Sequence, residues 1–148
     1  MNFYALGIGL LVGSFILYQL TVRKAQQAQW AFPFLLATFP IYYLLFTLYA
    51  SDFSAFLTEL TVSTIFFAIA YVARRFRSYR TWLLLSIGYL LHGIYDVYHD
   101  MLFEHEGIPL WWPEFCGTVD VVIGIYLFYQ AIMMRRMAID VTQNKDVV

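Results

Sequence analysis

Cys116 is the single cysteine among 148 residues. Its isolation excludes an internal disulfide and any paired-cysteine metal or redox motif. Charge is scarce as well. Only 13 % of residues are Asp, Glu, Lys or Arg, against roughly 25 % in ordinary soluble domains. With 61 % hydrophobic residues, the chain carries more apolar surface than one globular core of this size can bury, so a soluble domain is excluded. No stretch reads as a low-complexity tract or an internal repeat. The net charge of −1 says nothing by itself about nucleic acid, and no nucleic-acid partner is expected.

What is present instead is a series of long apolar runs, each near the ~20 residues that span a bilayer. They lie at about residues 3–22, 31–50, 53–73, 81–103 and 113–134. The first lacks a basic leading region and a small-x-small cleavage site, so a cleaved signal peptide is not expected. Pro33 and Pro113 suit first helical turns, and Pro40 should kink the second run. The second and third runs are separated only by the residues around Ser51 and Asp52, which implies a tight antiparallel hairpin. The expected fold is all-α: one integral membrane domain over 1–148, a polytopic bundle of five transmembrane helices, with 135–148 as a polar cytoplasmic tail.

The basic residues set an orientation. Arg23 and Lys24 follow the first run. Arg74, Arg75, Arg77 and Arg80 lie between the third and fourth, and Arg135, Arg136 and Lys145 follow the fifth. Five alternating spans bring all nine to one face, which the positive-inside rule makes cytoplasmic. The N-terminus is then outside, in a multi-pass protein of the cell membrane (the inner membrane, for a bacterial chain). Trp30, Trp82, Trp111 and Trp112 fall near the expected interfaces, as an aromatic belt requires. On the first run Ala5, Gly9 and Gly13 recur every four residues. Small residues at that spacing admit another helix closely, which makes this a candidate face for a homo-oligomer or a membrane partner.

The acids take the opposite side. Asp140 and Asp146 belong to the tail. Asp52, Glu59, Asp96, Asp100, Glu104, Glu106, Glu114 and Asp120 all fall in the outer loops or the outer half of the helices, with His92, His99 and His105. No Lys or Arg is there to pair with them. At ~1.5 Å of rise per residue, Glu59, Asp96 and Asp120 each lie about 9–10 Å below their helix ends. Three carboxylates on three helices thus share one level. In the stretch LLHGIYDVYHD, residues 90–100, His92, Asp96, His99 and Asp100 fall within about a third of the helix circumference at ~100° per residue. Leu85, Gly88 and Tyr89 extend that stripe. Gly117, Asp120, Gly124 and Leu127 form one face of the fifth run, whose glycines would let the fourth come close. Glu59 and Ser63 are an i, i+4 pair on the third.

An ionised carboxylate buried at mid-membrane costs a few kcal/mol, so something must offset three of them. Shared protons, a water-filled cleft, a metal cation and a cationic ligand group are the options. His92 and His99 are about 10 Å apart along the helix axis, too far to share one ion. His92 with Asp96, or Asp96 with His99, can converge. A mononuclear site would use one histidine, Asp96, Asp120 and Glu59 as a further candidate. A two-metal site would use Asp96 as a bridge, with His92 below and His99 above. Mixed nitrogen and oxygen donors suit Zn, Mn or Fe better than Ca or Mg. Glu114 beside Pro113 complements a helix N-terminus or joins the site. Cys116 lies within about 40° of Asp120 in phase, where packing is its more frequent role. Tyr89, Tyr95 and Tyr98 read as belt or packing residues.

HGIYDVYHD, residues 92–100, followed by GIPLWWPEFCGTVDVVIG, residues 107–124, resembles a family of uncharacterised small bacterial integral membrane proteins. That resemblance implies no activity. A looser similarity is to membrane hydrolases with Ser, Asp and His ligands, the alkaline ceramidases and adiponectin-receptor-like proteins. It would make Ser86, His92, Asp96 and Asp120 the counterparts. Those proteins have seven spans and a late HxxxH pair, and this chain departs from both.

Three functions follow as expectations. The first is an enzyme in which Asp96, Asp120 and His92 or His99 hold a metal, with Glu59 as base or ligand. It would act as a hydrolase or headgroup transferase on a lipid. The second is a cation or proton transport or relay protein working as an oligomer. The third is a non-catalytic membrane partner subunit.

Overall fold

The structure, a computed structural model, describes residues 2–22, 30–76, 78–102 and 107–145. Five helices form: α1 Phe3–Val22, α2 Ala31–Tyr49, α3 Phe53–Arg75, α4 Tyr79–Leu102 and α5 Trp112–Lys145. Local chemistry sets their starts. The Asn2 side chain accepts from the backbone N–H groups of Tyr4 and Ala5, both at 3.1 Å, and so caps α1. Asp52 is extended and its carboxylate accepts from Ala55 N–H at 2.9 Å, the N-cap bond that satisfies an orphan donor. Between α2 and α3 the chain reverses through Ser51, whose φ of 57° is left-handed. Pro40 lies inside α2 and removes one backbone donor, yet the helix continues to Tyr49. Helix α5 runs on through residues 135–145, the expected tail, and reaches 34 residues.

Contacts between helices give their directions. Gly9 faces Phe115 and Thr118, while Gly13 faces Val119 and Val122, so α1 and α5 run parallel. Tyr89 bonds Phe32, and Tyr43 bonds Asp96, so α2 and α4 run parallel. Gly93 lies against Gly117 and Asp120, whereas Gly124 lies against Leu90 and Ser86; α4 and α5 are therefore antiparallel. Gly88 meets Ile69, and Glu59 meets His99, which makes α3 antiparallel to α4. The helices thus alternate. Arg74 and Arg75 end α3, Arg80 begins α4, and Arg135 and Arg136 lie late on α5. These five gather at one end of the bundle, opposite Glu59, Asp96 and Asp120.

The surface is as apolar as the core. Phe32, Leu36, Phe66, Leu85, Tyr89, Val119, Ile123 and Leu127 are buried together, while Leu11, Phe15, Tyr18, Leu57, Ile65, Tyr71 and Ile125 stand exposed. A helix apolar all round belongs in a membrane or a large core. Helices α1, α2, α3 and α5 are long and apolar enough to cross a bilayer. The polar stripe of α4 sets it apart from them. The chain is a membrane-type helical bundle.

The face formed by Ala5, Gly9 and Gly13 is buried, and the helix that approaches it is α5 of the same chain. A Cβ on Gly9 would come within 2.6 Å of the Phe115 carbonyl oxygen. The close approach predicted by the spacing is therefore made internally, and a second molecule would need another surface.

Candidate functional site

Glycine lets α4 and α5 cross closely. Gly93 and Gly117 lie backbone to backbone, so a Cβ on either would stand 3.1–3.2 Å from the other's carbonyl oxygen. Further along, Ser86 Oγ donates to the Gly124 carbonyl at 2.8 Å. With α4 and α5 this close, Asp96 and Asp120 are brought to either side of His92. His92 Nδ1 is 2.7 Å from Asp120 Oδ2 and 3.5 Å from Asp96 Oδ2. All three side chains are fully buried. Cys116, one turn before Asp120, completes the group. One donor atom from each of His92, Asp96, Cys116 and Asp120 lies within 4.8 Å of all the others.

This group has more acceptors than donors. Asp96 Oδ1 accepts from the Tyr43 hydroxyl at 2.6 Å. Asp96 Oδ2, Asp120 Oδ1 and His92 Nε2 are buried with no hydrogen-bond partner among the described residues. Phe39 and Phe66 pack around the His92 ring, with centroids at 5.8 and 4.7 Å. A buried carboxylate oxygen without a donor is costly, and no described cation balances the two acids.

Glu59 and His99 form a second, separate half between α3 and α4. Glu59 Oε1 lies 2.6 Å from His99 Nε2, and Glu59 Oε2 accepts from the Tyr95 hydroxyl at 2.7 Å. Both oxygens are engaged by side chains of one helix. Tyr43 of α2 links the halves: its hydroxyl bonds Asp96, and its ring stacks on His99 at 4.6 Å and 20°.

The structure therefore brings together His92, Asp96 and Asp120, adds Cys116, and pairs His99 with Glu59 instead of with the group. Ser86, the serine singled out by the looser resemblance, is engaged with the Gly124 carbonyl about 9 Å along the axis from His92. Ser63 is buried on α3. Glu114 accepts from the Asn2 backbone N–H at 3.0 Å, a contact that ties the start of α1 to the start of α5. Tyr89 and Tyr95 donate to Phe32 and Glu59, whereas Tyr98 is exposed. Arg23, Lys24, Arg77, Glu104, His105, Glu106 and Asp146 lie outside the described residues, as do the side chains of Asp100 and Lys145. Tyr43 was not among the expected residues. Its signal was its depth: it stands seven residues before Ala50, about 10 Å from that helix end, level with the three acids.

The group could hold a metal ion. The donors are one imidazole, two carboxylates and one thiol, a set that suits Zn, Mn or Fe. A divalent cation would offset the two carboxylate charges. The proton between His92 and Asp120 is the one such an ion would displace, since metal ligands must be deprotonated.

Fold and site together define an apolar helical bundle with a buried His/Asp/Cys group. The chain belongs to DUF6010, a family of unknown function, which it matches over residues 8–133. No curated protein and no solved structure matches it.

Proposed function

We propose that this chain is a five-span membrane protein, N-terminus outside and C-terminus in the cytoplasm, that holds a divalent metal in the outer half of the bilayer. We further read it as a hydrolase or headgroup transferase acting on a lipid. One observation carries the metal: the buried donors of His92, Asp96, Cys116 and Asp120 within 4.8 Å of one another, with two carboxylate oxygens unpartnered. Zn, Mn or Fe fits the donor set. A metal held there supplies Lewis acidity toward water or a phosphoryl or carbonyl oxygen. The protein's own part is to bind the ion by His92, Asp96 and Asp120, to exclude water with Phe39 and Phe66, and to hold Asp96 by the Tyr43 hydroxyl.

A cavity of about 500 Å³ between α1, α4 and α5 supports a lipid substrate. Leu6, Val97, Val121 and the Gly93 and Gly117 backbones line it, with Thr118 and Glu114 toward the outer end. A second cavity of about 300 Å³ reaches Cys116 from the α1–α2 side, along Thr38, Phe39, Tyr42 and Trp112. Both are apolar with few polar groups, as lipid-binding sites are.

Elemental analysis of the purified protein is the test. About one equivalent of Zn, Mn or Fe per chain is expected, lost in Asp96→Asn and in Asp120→Asn. A folded wild-type protein with no stoichiometric metal overturns the metal reading. Release of headgroup from mixed phospholipid vesicles, abolished by Asp96→Asn, tests the enzymatic reading; a metal-loaded protein inert toward every headgroup class overturns it. The complete burial of the group favours a second reading, a cation or proton relay. Cation or proton flux in proteoliposomes, lost in Asp96→Asn, would mark that reading as the right one.

A further inference from the structure

Tyr43 is fully buried on α2 and carries no charge, yet its hydroxyl and its ring join the two halves of the polar core. Its hydroxyl donates to Asp96 Oδ1 at 2.6 Å, so that oxygen is engaged. The other oxygen, Asp96 Oδ2, is the one near His92, at 3.5 Å, and it has no hydrogen-bond partner among the described residues. The phenol therefore fixes which oxygen of Asp96 is presented to the group. A phenol can do this only if its ring cannot turn, and four rings hold it. His99 stacks on one face at 4.6 Å. Tyr95 meets it edge-on at 5.6 Å, Phe46 at 6.4 Å, and His92 lies at 6.2 Å. His99 is itself held by Glu59, whose second oxygen is held by Tyr95.

We infer that Tyr43 is a positioning residue that keeps Asp96 a one-oxygen ligand of the metal centre, and that Glu59 and His99 act on that centre through the Tyr43 ring. This rests on the metal reading above. It assigns a role to each residue of the second half without placing any of them on the ion. Outer partners that orient metal ligands are worth about 10–100-fold in affinity, and Tyr43 is expected to act in that range. Tyr43→Phe removes the hydroxyl and keeps the ring. His99→Ala keeps the hydroxyl and removes the wall behind it.

The test uses the full chain in detergent, stripped of metal and titrated with cobalt(II), whose visible bands report coordination. Wild type is expected to bind one ion. Tyr43→Phe should still bind one, about 10–100-fold more weakly, with altered bands because Asp96 is freed to turn both oxygens to the ion. His99→Ala should shift affinity and bands in the same direction by less. A folded Tyr43→Phe matching wild type in both affinity and bands overturns the inference alone. Should that variant not fold, a folded His99→Ala matching wild type overturns it equally. Wild type that binds no cobalt removes the metal reading and this inference together.

Discussion

Between α3 and α4 one carboxylate, Glu59, meets one histidine and one tyrosine, and both its oxygens are engaged. Between α4 and α5 two carboxylates, Asp96 and Asp120, have one histidine between them, and an oxygen of each has no hydrogen-bond partner among the described residues. Both halves set carboxylates against a histidine, and Glu59, His99, His92, Asp96 and Asp120 are all buried. The difference lies in stoichiometry. In the Glu59 half each carboxylate oxygen has its own side-chain partner, His99 for one and Tyr95 for the other. The Asp96 and Asp120 half has one imidazole and the Tyr43 hydroxyl for four carboxylate oxygens, and the proposed metal rests on that shortage of donors. Burial of polar residues alone would not have separated them, because a buried, satisfied ion pair is also a common structural device.

The largest expected effect breaks the comparison on its binding side. The double variant Asp96→Asn/Asp120→Asn should retain no stoichiometric metal while folding at least as well as metal-free wild type, since it removes two uncompensated acids. Elemental analysis paired with thermal unfolding in detergent reads both. A double variant that keeps its metal would place the ion elsewhere.

The second effect breaks the satisfied half. Glu59→Gln leaves His99 without its buried anion, and losing one partner of a buried pair costs about 3–5 kcal/mol. Denaturant unfolding should show that loss while the metal stoichiometry is unchanged. Metal loss with full stability would reverse the roles assigned to the two halves.

Much of this was legible in the sequence, for physical reasons. Long apolar runs reveal helices, because membrane helices satisfy their own backbone groups. Helix phase alone put Asp120, Gly117, Gly124 and Leu127 on one face of α5, and all four are buried in the core. Periodicity does not say which neighbour a face meets. The sequence brought Glu59, Asp96 and Asp120 to one level but could not divide them between histidines. That division depends on the rotation of α3 against α4, which tertiary packing decides. Tyr43 stayed hidden because the chain holds 12 tyrosines, and one more aromatic on an apolar helix carries no periodic signal. Cys116 was harder to read for the same reason: a thiol on a core face looks like packing until its distance to carboxylates is known.

The third effect asks whether close helix approach is itself the special feature. α5 is approached through glycine on two sides, by α1 at Gly9 and by α4 at Gly93, and only the α4 side carries fully buried acids. Gly9→Ala would push a methyl to 2.6 Å from a backbone oxygen, an overpacking that costs about 1–3 kcal/mol. Gly7, two residues away, has nothing within 4 Å of an added Cβ, and Gly7→Ala should change stability by less than about 1 kcal/mol. Metal content should be the same in both variants. Equal behaviour of Gly7→Ala and Gly9→Ala in unfolding would show that α1 does not pack on α5 as described.

The smallest effect sharpens the boundary of the binding half. Cys116 belongs to the donor group by distance and also lines the 300 Å³ cavity on the α2 side. As a ligand its thiolate would favour zinc, because soft sulfur selects it over manganese. Cys116→Ser replaces sulfur by a harder oxygen at nearly the same volume. One ion should still bind through His92, Asp96 and Asp120, with zinc losing about tenfold against manganese in a competition titration. If Cys116 is only a wall of the cavity, the zinc-to-manganese ratio stays at the wild-type value. The metal centre is then a three-residue site of His92, Asp96 and Asp120, with its fourth position open toward that cavity, which is the arrangement a catalytic zinc requires and a structural one does not.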